Sequence, residues 1–231
     1  MSKVASNIKP VYELFKEEVK KANPDVDILE SLIDRLSKKD INKITKLNLS
    51  GKKINILPDS IGNLTNLQYF DCSYNKISVF PNSIGNLINL QELSCSYNEI
   101  SEIPDSICNL TNLQKLRIYN NKISILPDSI GNLTNLQQFD CSDNKISTLP
   151  ESIGSLINLK KIYCSYNKIS TLPDSISNLT NLQKICCSKN KISNLPDNIG
   201  NLINLQEIWI YNNPISVSPN TLKILDRYIV I

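Results

Sequence analysis

Asparagine recurs at a constant interval along most of this chain: Asn75, Asn98, Asn121, Asn144, Asn167, Asn190 and Asn213 stand 23 residues apart. An ordinary globule mixes distant segments without register. A fixed period in the range of roughly 20 to 50 residues instead requires one structural unit stacked on copies of itself. Run backward, the frame gives an earlier unit that opens at Ile44, with Lys52 where the asparagine would stand. Eight units follow, opening at Ile44, Leu67, Leu90, Leu113, Leu136, Leu159, Leu182 and Leu205.

Two hydrophobic spacings alternate within a unit. In "LQYFDCS", Leu67, Phe70 and Cys72 are the inward letters, and the two-residue step from Phe70 to Cys72 is strand periodicity. Pro81 then ends any strand, because it has no N–H for a ladder. Ile84 and Leu87 are three apart, which suits a tight, 3₁₀-like turn on the opposite side of the coil. One coil cannot bury its apolar edge alone. Stacking sets each strand beside the next, about 4.8 Å away, in a parallel sheet. Strands pack closer than the bulkier segments behind them, so the stack is expected to curve with its sheet inside. Strand centres are predicted at Leu47, Phe70, Leu93, Leu116, Phe139, Ile162, Ile185 and Ile208.

The pattern "LxxLxLxxNxLxxLPxxIxxLxx", carried for example by "LQKLRIYNNKISILPDSIGNLTN" from Leu113 to Asn135, resembles the leucine-rich repeats. The resemblance runs from about Ile44 to Leu225. Its LPxxIxxL variety is similar to the intracellular repeats of Ras-associated and cell-polarity scaffolds, and the Asn/Ile/Lys-heavy copies are similar to repeat proteins of protists or amoeba-infecting giant viruses. It implies an α/β horseshoe solenoid: an eight-stranded parallel sheet on the concave face, a 3₁₀ or irregular convex side, and a concave surface that binds other proteins.

The invariant letters have structural readings. The Asn column is expected to turn into the coil and bond backbone groups left unpaired at the bend. Ser60, Ser83, Ser106 and Ser129 are expected to satisfy turn backbone. Gly62, Gly85 and Gly131 permit either a positive φ or a close approach. Cys72, Cys95, Cys141, Cys164 and Cys187 occupy an inward position that is Leu49, Ile118 or Ile210 in other units, so they read as small apolar core residues. With no histidine, no C-x-x-C and an odd number of thiols, neither a metal nor a redox ladder is expected. Cys186 falls on an outward position, and it is the thiol expected to react.

Residues 1–43 do not repeat. Val11, Phe15 and Val19 share one helical face, Asn23–Pro24 ends that helix, and Asp27 is placed to cap a second one with Ile28, Leu32 and Leu36 along one stripe. The expected role is a helical cap over the first coil, with repeats from 44 to 218 and a C-terminal cap from 219 to 231. The alternatives are an N-terminal module that docks the chain into a larger complex and an exposed tail at Ile229 to Ile231.

The net charge of +3 is short of the excess expected of a nucleic-acid binder, and no apolar run reaches the length of a membrane span. "MSKVASNIKPVYELF" lacks the uninterrupted apolar core of a secretory signal. The expected location is the cytoplasm of the source cell or an infected host, and N-x-[ST] matches such as Asn63–Thr65 are read as by-products of the repeat.

The variable letters sit on outward strand positions, free of the core's demands. The partner-binding candidates there are Tyr69, Asp71, Tyr74, Glu92, Tyr97, Lys115, Arg117, Asp140, Asp143, Lys161, Tyr163, Tyr166, Lys189, Trp209 and Tyr211. Aromatics on such a surface are what interface hot spots use. Tyr69, Tyr74 and Tyr97 are expected to form one cluster, Tyr163 with Tyr166 another, and Trp209 to stand beside Tyr211. The mixed charges suit a folded protein partner better than a phosphate polymer. Asp140 and Asp143 are the only pair with a conceivable acid–base role. Without a histidine, a phosphate loop or a lid insertion, a non-catalytic, cofactor-free interaction module is expected, acting as a monomeric adaptor or scaffold.

Overall fold

The computed structural model describes residues 9–216 and 229–230. Three-residue strands recur once per unit: β1 Lys46–Asn48, β2 Tyr69–Asp71, β3 Glu92–Ser94, β4 Lys115–Arg117, β5 Gln138–Asp140, β6 Lys161–Tyr163, β7 Lys184–Cys186 and β8 Glu207–Trp209. They pair in sequence order as one open parallel sheet. Register places Leu47, Phe70, Leu93, Leu116, Phe139, Ile162, Ile185 and Ile208 side by side at the strand centres, as the sequence predicts. A ninth strand not foreseen from the pattern, β9 Ile229–Val230, adds to the far edge beside β8. The rest of the expected C-terminal cap lies outside the described residues.

Behind the sheet, seven 3₁₀ helices stack, from Asp59–Asn63 to Asp197–Asn201. Proline sets each start. Pro58, for example, holds φ at −68°, and its carbonyl accepts from Ile61 N at 3.1 Å. Six of these helices carry an acid in the first turn: Asp59, Asp105, Asp128, Glu151, Asp174 and Asp197. Between sheet and helices runs one unbroken core of inward leucine, isoleucine, phenylalanine and cysteine, most of it fully buried.

The Asn column does what the sequence predicts. Asn98 Nδ2 donates to Cys72 O of the preceding unit and to Cys95 O of its own, both at 3.0 Å, while Oδ1 accepts from Ile77 N at 3.0 Å. The same triple bond recurs from Asn75 to Asn213. Lys52, the exception, has no preceding coil to bond. Its ammonium instead donates to Lys20 O at 3.3 Å and Lys21 O at 2.7 Å, tying the first coil to the end of the first helix.

The glycines resolve to close approach. A Cβ built on Gly62 would stand 2.5 Å from Ser83 O and 2.7 Å from Ser83 Cβ, and Gly85 meets Ser106 in the same way. This corrects the reading of the serines. The hydroxyls of Ser60, Ser83 and Ser106 have no hydrogen-bond partner among the described residues, and Ser129 bonds the Asp105 carboxylate at 2.7 Å. In this column serine is a small residue that lets neighbouring 3₁₀ helices touch.

At the N-terminus, α1 (Val11–Lys20), α2 (Val26–Asp34) and α3 (Lys38–Ile41) close the end of the core. Two details differ from expectation. Asp25, not Asp27, caps α2, accepting from Asp27 N at 3.0 Å and Ile28 N at 3.1 Å. The buried stripe is Leu29, Leu32, Ile33 and Leu36, whereas Ile28 is 44% exposed. Spacing of three, four and seven gives a broader apolar face than spacing of four alone, and that face wins the core.

All seven cysteines are buried and free. The five-residue column is fully enclosed, as expected. Cys186 departs from expectation: it is only 5% exposed, flanked in register by Tyr163 and Trp209, whose bulk exceeds its own. Burial pushes its thiol up to about 11 and that of Cys187 to about 12.

Three outcomes follow. Native protein at neutral pH is expected to give no fast reaction with a thiol reagent at any cysteine, Cys186 included, and all seven should react on denaturation; stoichiometric native labelling would overturn the core assignment. Asn98→Ala leaves Ile77 N, Cys72 O and Cys95 O without their side-chain partner, and about 3 kcal/mol of stability should be lost in denaturant titration. Deleting residues 1–40 uncovers Ile44 and Leu47, so aggregation or a melting temperature lower by at least about 5 °C is expected by calorimetry.

Candidate functional site

The outward letters form continuous ladders because the strands keep strict register. One runs Tyr69, Glu92, Lys115, Gln138, Lys161, Lys184, Glu207; the next runs Asp71, Ser94, Arg117, Asp140, Tyr163, Cys186, Trp209. The third column, just past each strand, has an unexpected backbone. Tyr74, Tyr97, Asn120, Asp143, Tyr166, Lys189 and Asn212 all have φ between 51° and 56°, in the left-handed region. Asn and Asp tolerate it; for tyrosine and lysine it costs roughly 1–2 kcal/mol each. In return the ladder continues beyond the strand: Tyr74 N bonds Ser96 O at 2.9 Å and Tyr97 N bonds Tyr119 O at 3.0 Å.

That backbone presents an aromatic cluster. Tyr74 and Tyr97 stack with centroids 4.4 Å apart and planes 14° apart, and Tyr97 meets Tyr119 edge-on at 5.0 Å and 78°. Tyr74 is 57% exposed and Tyr97 38%. Burial, with Tyr74, Tyr97 and Asp140 nearby, pushes the Tyr119 phenol up to about 12. Tyr119 is absent from the candidates read from sequence, and Tyr69, expected in this cluster, instead points its hydroxyl to Asp71 Oδ2 at 3.4 Å. A signal for Tyr119 existed: it stands in a column of Ser73, Ser96, Ser142, Ser165 and Ser188 that only Tyr211 also leaves.

Several charged candidates are already engaged. Glu92 Oε1 takes Lys115 at 2.6 Å and Oε2 lies 3.6 Å from Arg117, which together hold its carboxyl below the usual range. Lys184 pairs with Glu207 at 2.6 Å and lies 4.2 Å above the Trp209 ring, while Trp209 Nε1 donates to Glu207 at 3.1 Å. Trp209 is thus joined to Lys184 and Glu207. Lys189 sits 4.3 Å over Tyr166, so that ring's partner is an ammonium; among the described residues it makes no ring contact with Tyr163. Lys161 is exposed and in no ion pair among the described residues. Tyr211 is 41% exposed.

The acids at strand ends have a structural task. Asp71 Oδ1 accepts from Ser73 N at 2.9 Å and Asp140 Oδ1 from Ser142 N at 3.1 Å, each fixing the turn that follows its strand. Burial raises the Asp140 carboxyl above its ordinary range. Asp143 Oδ2 accepts from Asn120 Nδ2 at 2.9 Å. The two carboxylates of the catalytic alternative are therefore held in separate contacts. A concavity of about 750 Å³ lies elsewhere, lined by Ser101–Ile103 and Ser124–Ser129 on the loop side. Among the described residues no cluster of metal-ligating side chains occurs, and no helix is long and apolar enough to cross a membrane.

Solved structures with this architecture include an LRR protein of Leptospira interrogans, 31% identical over 91% of this chain and 57% of its own, with a TM-score of 0.78. The plant peptide hormone receptor RGFR1 in complex with RGF2 is 34% identical over 82% of this chain and 32% of its own, with a TM-score of 0.74. The PEPR1–AtPEP1 structure is 30% identical over 81% of this chain and 28% of its own, at 0.70. The chain thus spans little more than half of the first and about a third or less of the others. No curated protein matches it in sequence. The family described as "leucine-rich repeat region" matches residues 30–144 and 139–227. With one repeat strand per unit in a single parallel sheet, its Asn ladder and a family match over most of its length, this chain belongs to the leucine-rich repeat proteins.

Proposed function

We propose that this chain is a non-catalytic interaction module that grips a protein partner on the concave sheet, as a cytoplasmic adaptor or scaffold. The observation that carries this is the Tyr74–Tyr97–Tyr119 cluster: aromatic surface in one patch, with Tyr74 and Tyr97 more than a third exposed and held by a backbone conformation tyrosine does not favour. Tyrosine brings large contact area at low conformational cost, which suits a hot spot. The similar structure of the plant peptide hormone receptor RGFR1 in complex with RGF2 supports a binding role for this architecture. Seven buried free thiols support a reducing compartment. The paired charges at Glu92 and Glu207 are read as a rim that fixes orientation rather than as the source of affinity.

A docking role for the N-terminal helices is the second reading. Phe15, Leu29, Leu32 and Ile33 are all buried against the core, so their apolar faces are used for capping.

Tyr74→Asn with Tyr97→Asn tests the first reading without endangering the fold, because Asn120 already occupies the same position at φ 55°. The double variant is expected to melt no lower than the parent chain. Affinity capture from the source cell with both versions, followed by calorimetry on any differential partner, should show binding weaker by at least about 2 kcal/mol. Equal capture and equal affinity would place recognition elsewhere.

A further inference from the structure

A second surface lies along the lateral edge of the stack. Directly after the first six asparagines of the column the chain carries Lys76, Glu99, Lys122, Lys145, Lys168 and Lys191, all exposed, and Pro214 follows the seventh. The column is contiguous in space. Glu99 bonds Lys122 of the next unit at 2.8 Å, and its carboxyl is held below the usual range by Lys122 and, more weakly, by Lys76. Beyond Glu99 the column contains no acid, and Lys145, Lys168 and Lys191 join no ion pair among the described residues.

This arrangement is not a neutral solvated face. Like charges directly opposite one another weaken a ladder, and here they recur at about 4.8 Å per unit. Asp143, two residues before Lys145, is engaged by Asn120 at 2.9 Å and Asp140 lies on the sheet; the other acids of these units stand further along each coil, in the first turns of the 3₁₀ helices. The chain's small net charge therefore conceals two segregated stripes, whose fields do not cancel locally.

We propose that the lysine edge from Lys122 to Lys191 binds an acidic, extended segment of a protein partner, with the 2.8 Å Glu99–Lys122 pair marking how one of its carboxylates meets an ammonium group. Lysine offers a compact, rotatable charge that takes carboxylates singly, without the bidentate fork that arginine brings to phosphate. A single-stranded nucleic acid would add base stacking on aromatic faces. Tyr166, in the adjoining column, already carries the Lys189 ammonium 4.3 Å over one face of its ring. The edge is separate from the concave sheet, and the proposal stands whether or not the tyrosine cluster is a binding site.

The test uses the full chain and fluorescence anisotropy with three probes: a short labelled peptide of alternating Glu and Ser, its Gln–Ser counterpart, and an oligothymidylate of equal charge. At about 50 mM salt the Glu peptide is expected to bind at least tenfold tighter than the Gln peptide, and to weaken about tenfold at about 300 mM. Lys145→Gln, Lys168→Gln and Lys191→Gln together should cut that binding at least about tenfold with no fall in melting temperature. Glu99→Gln, which frees Lys122, should tighten it. The Tyr74→Asn, Tyr97→Asn variant should bind the peptide like the parent chain. Equal binding of the Glu and Gln peptides, indifference to the triple substitution, or tighter binding of the oligothymidylate than of the Glu peptide would each overturn the proposal.

Discussion

A single side-chain amide, repeated seven times, sets the terms for everything else in this molecule. The coil must reverse direction after each short strand, and reversal strands backbone groups inside an apolar core. One Asn amide satisfies a carbonyl of its own coil, a carbonyl of the coil before it and an N–H of that earlier coil. An unsatisfied buried group costs about 1–3 kcal/mol, so the amide is fixed in type and in position. Strand register, the left-handed turn before each Asn and the burial of the next leucine all depend on that placement.

Because the amide is satisfied by backbone, the residues beside it are released from structural duty, and function has room on two separate surfaces. The sheet presents tyrosines whose rings contact one another, while the lateral edge presents lysines that do not. The difference follows from chain geometry. Tyr74 and Tyr97 project from strained turns that aim them together, whereas Lys145, Lys168 and Lys191 project from the edge into solvent. The first surface favours contact area, the second long-range attraction.

Much of this was legible in the sequence, and the failures are instructive. The Asn column, the strand centres and the buried cysteines are dictated by one unit's local pattern, so the repeat reveals them. The burial of Cys186 is not legible in its own unit, because it depends on the sizes of Tyr163 and Trp209 in neighbouring units. The exposure of Ile28 is not legible either, because helix periodicity alone does not say which of two overlapping stripes meets the core. The role of the serines is hidden because a small residue needed for close approach looks, in sequence, like one needed for hydrogen bonding. At the candidate site, the outward positions were readable but the pairings were not: Tyr119 joined the cluster that Tyr69 left, and Lys184 claimed Trp209.

The direction of the amide's bonds gives the fold a polarity in time. Ile54 N waits for Asn75, and Ile77 N waits for Asn98, in each case 21 residues downstream. A chain emerging from the ribosome therefore always ends in a coil whose bend is unfinished until the next coil arrives. Growth proceeds by each newcomer completing its predecessor, and translational pauses within a repeat would leave one backbone bend open to water or to another nascent chain. Fraying from the C-terminal end would run the same sequence backward, stripping each retained coil of the amide that closed it.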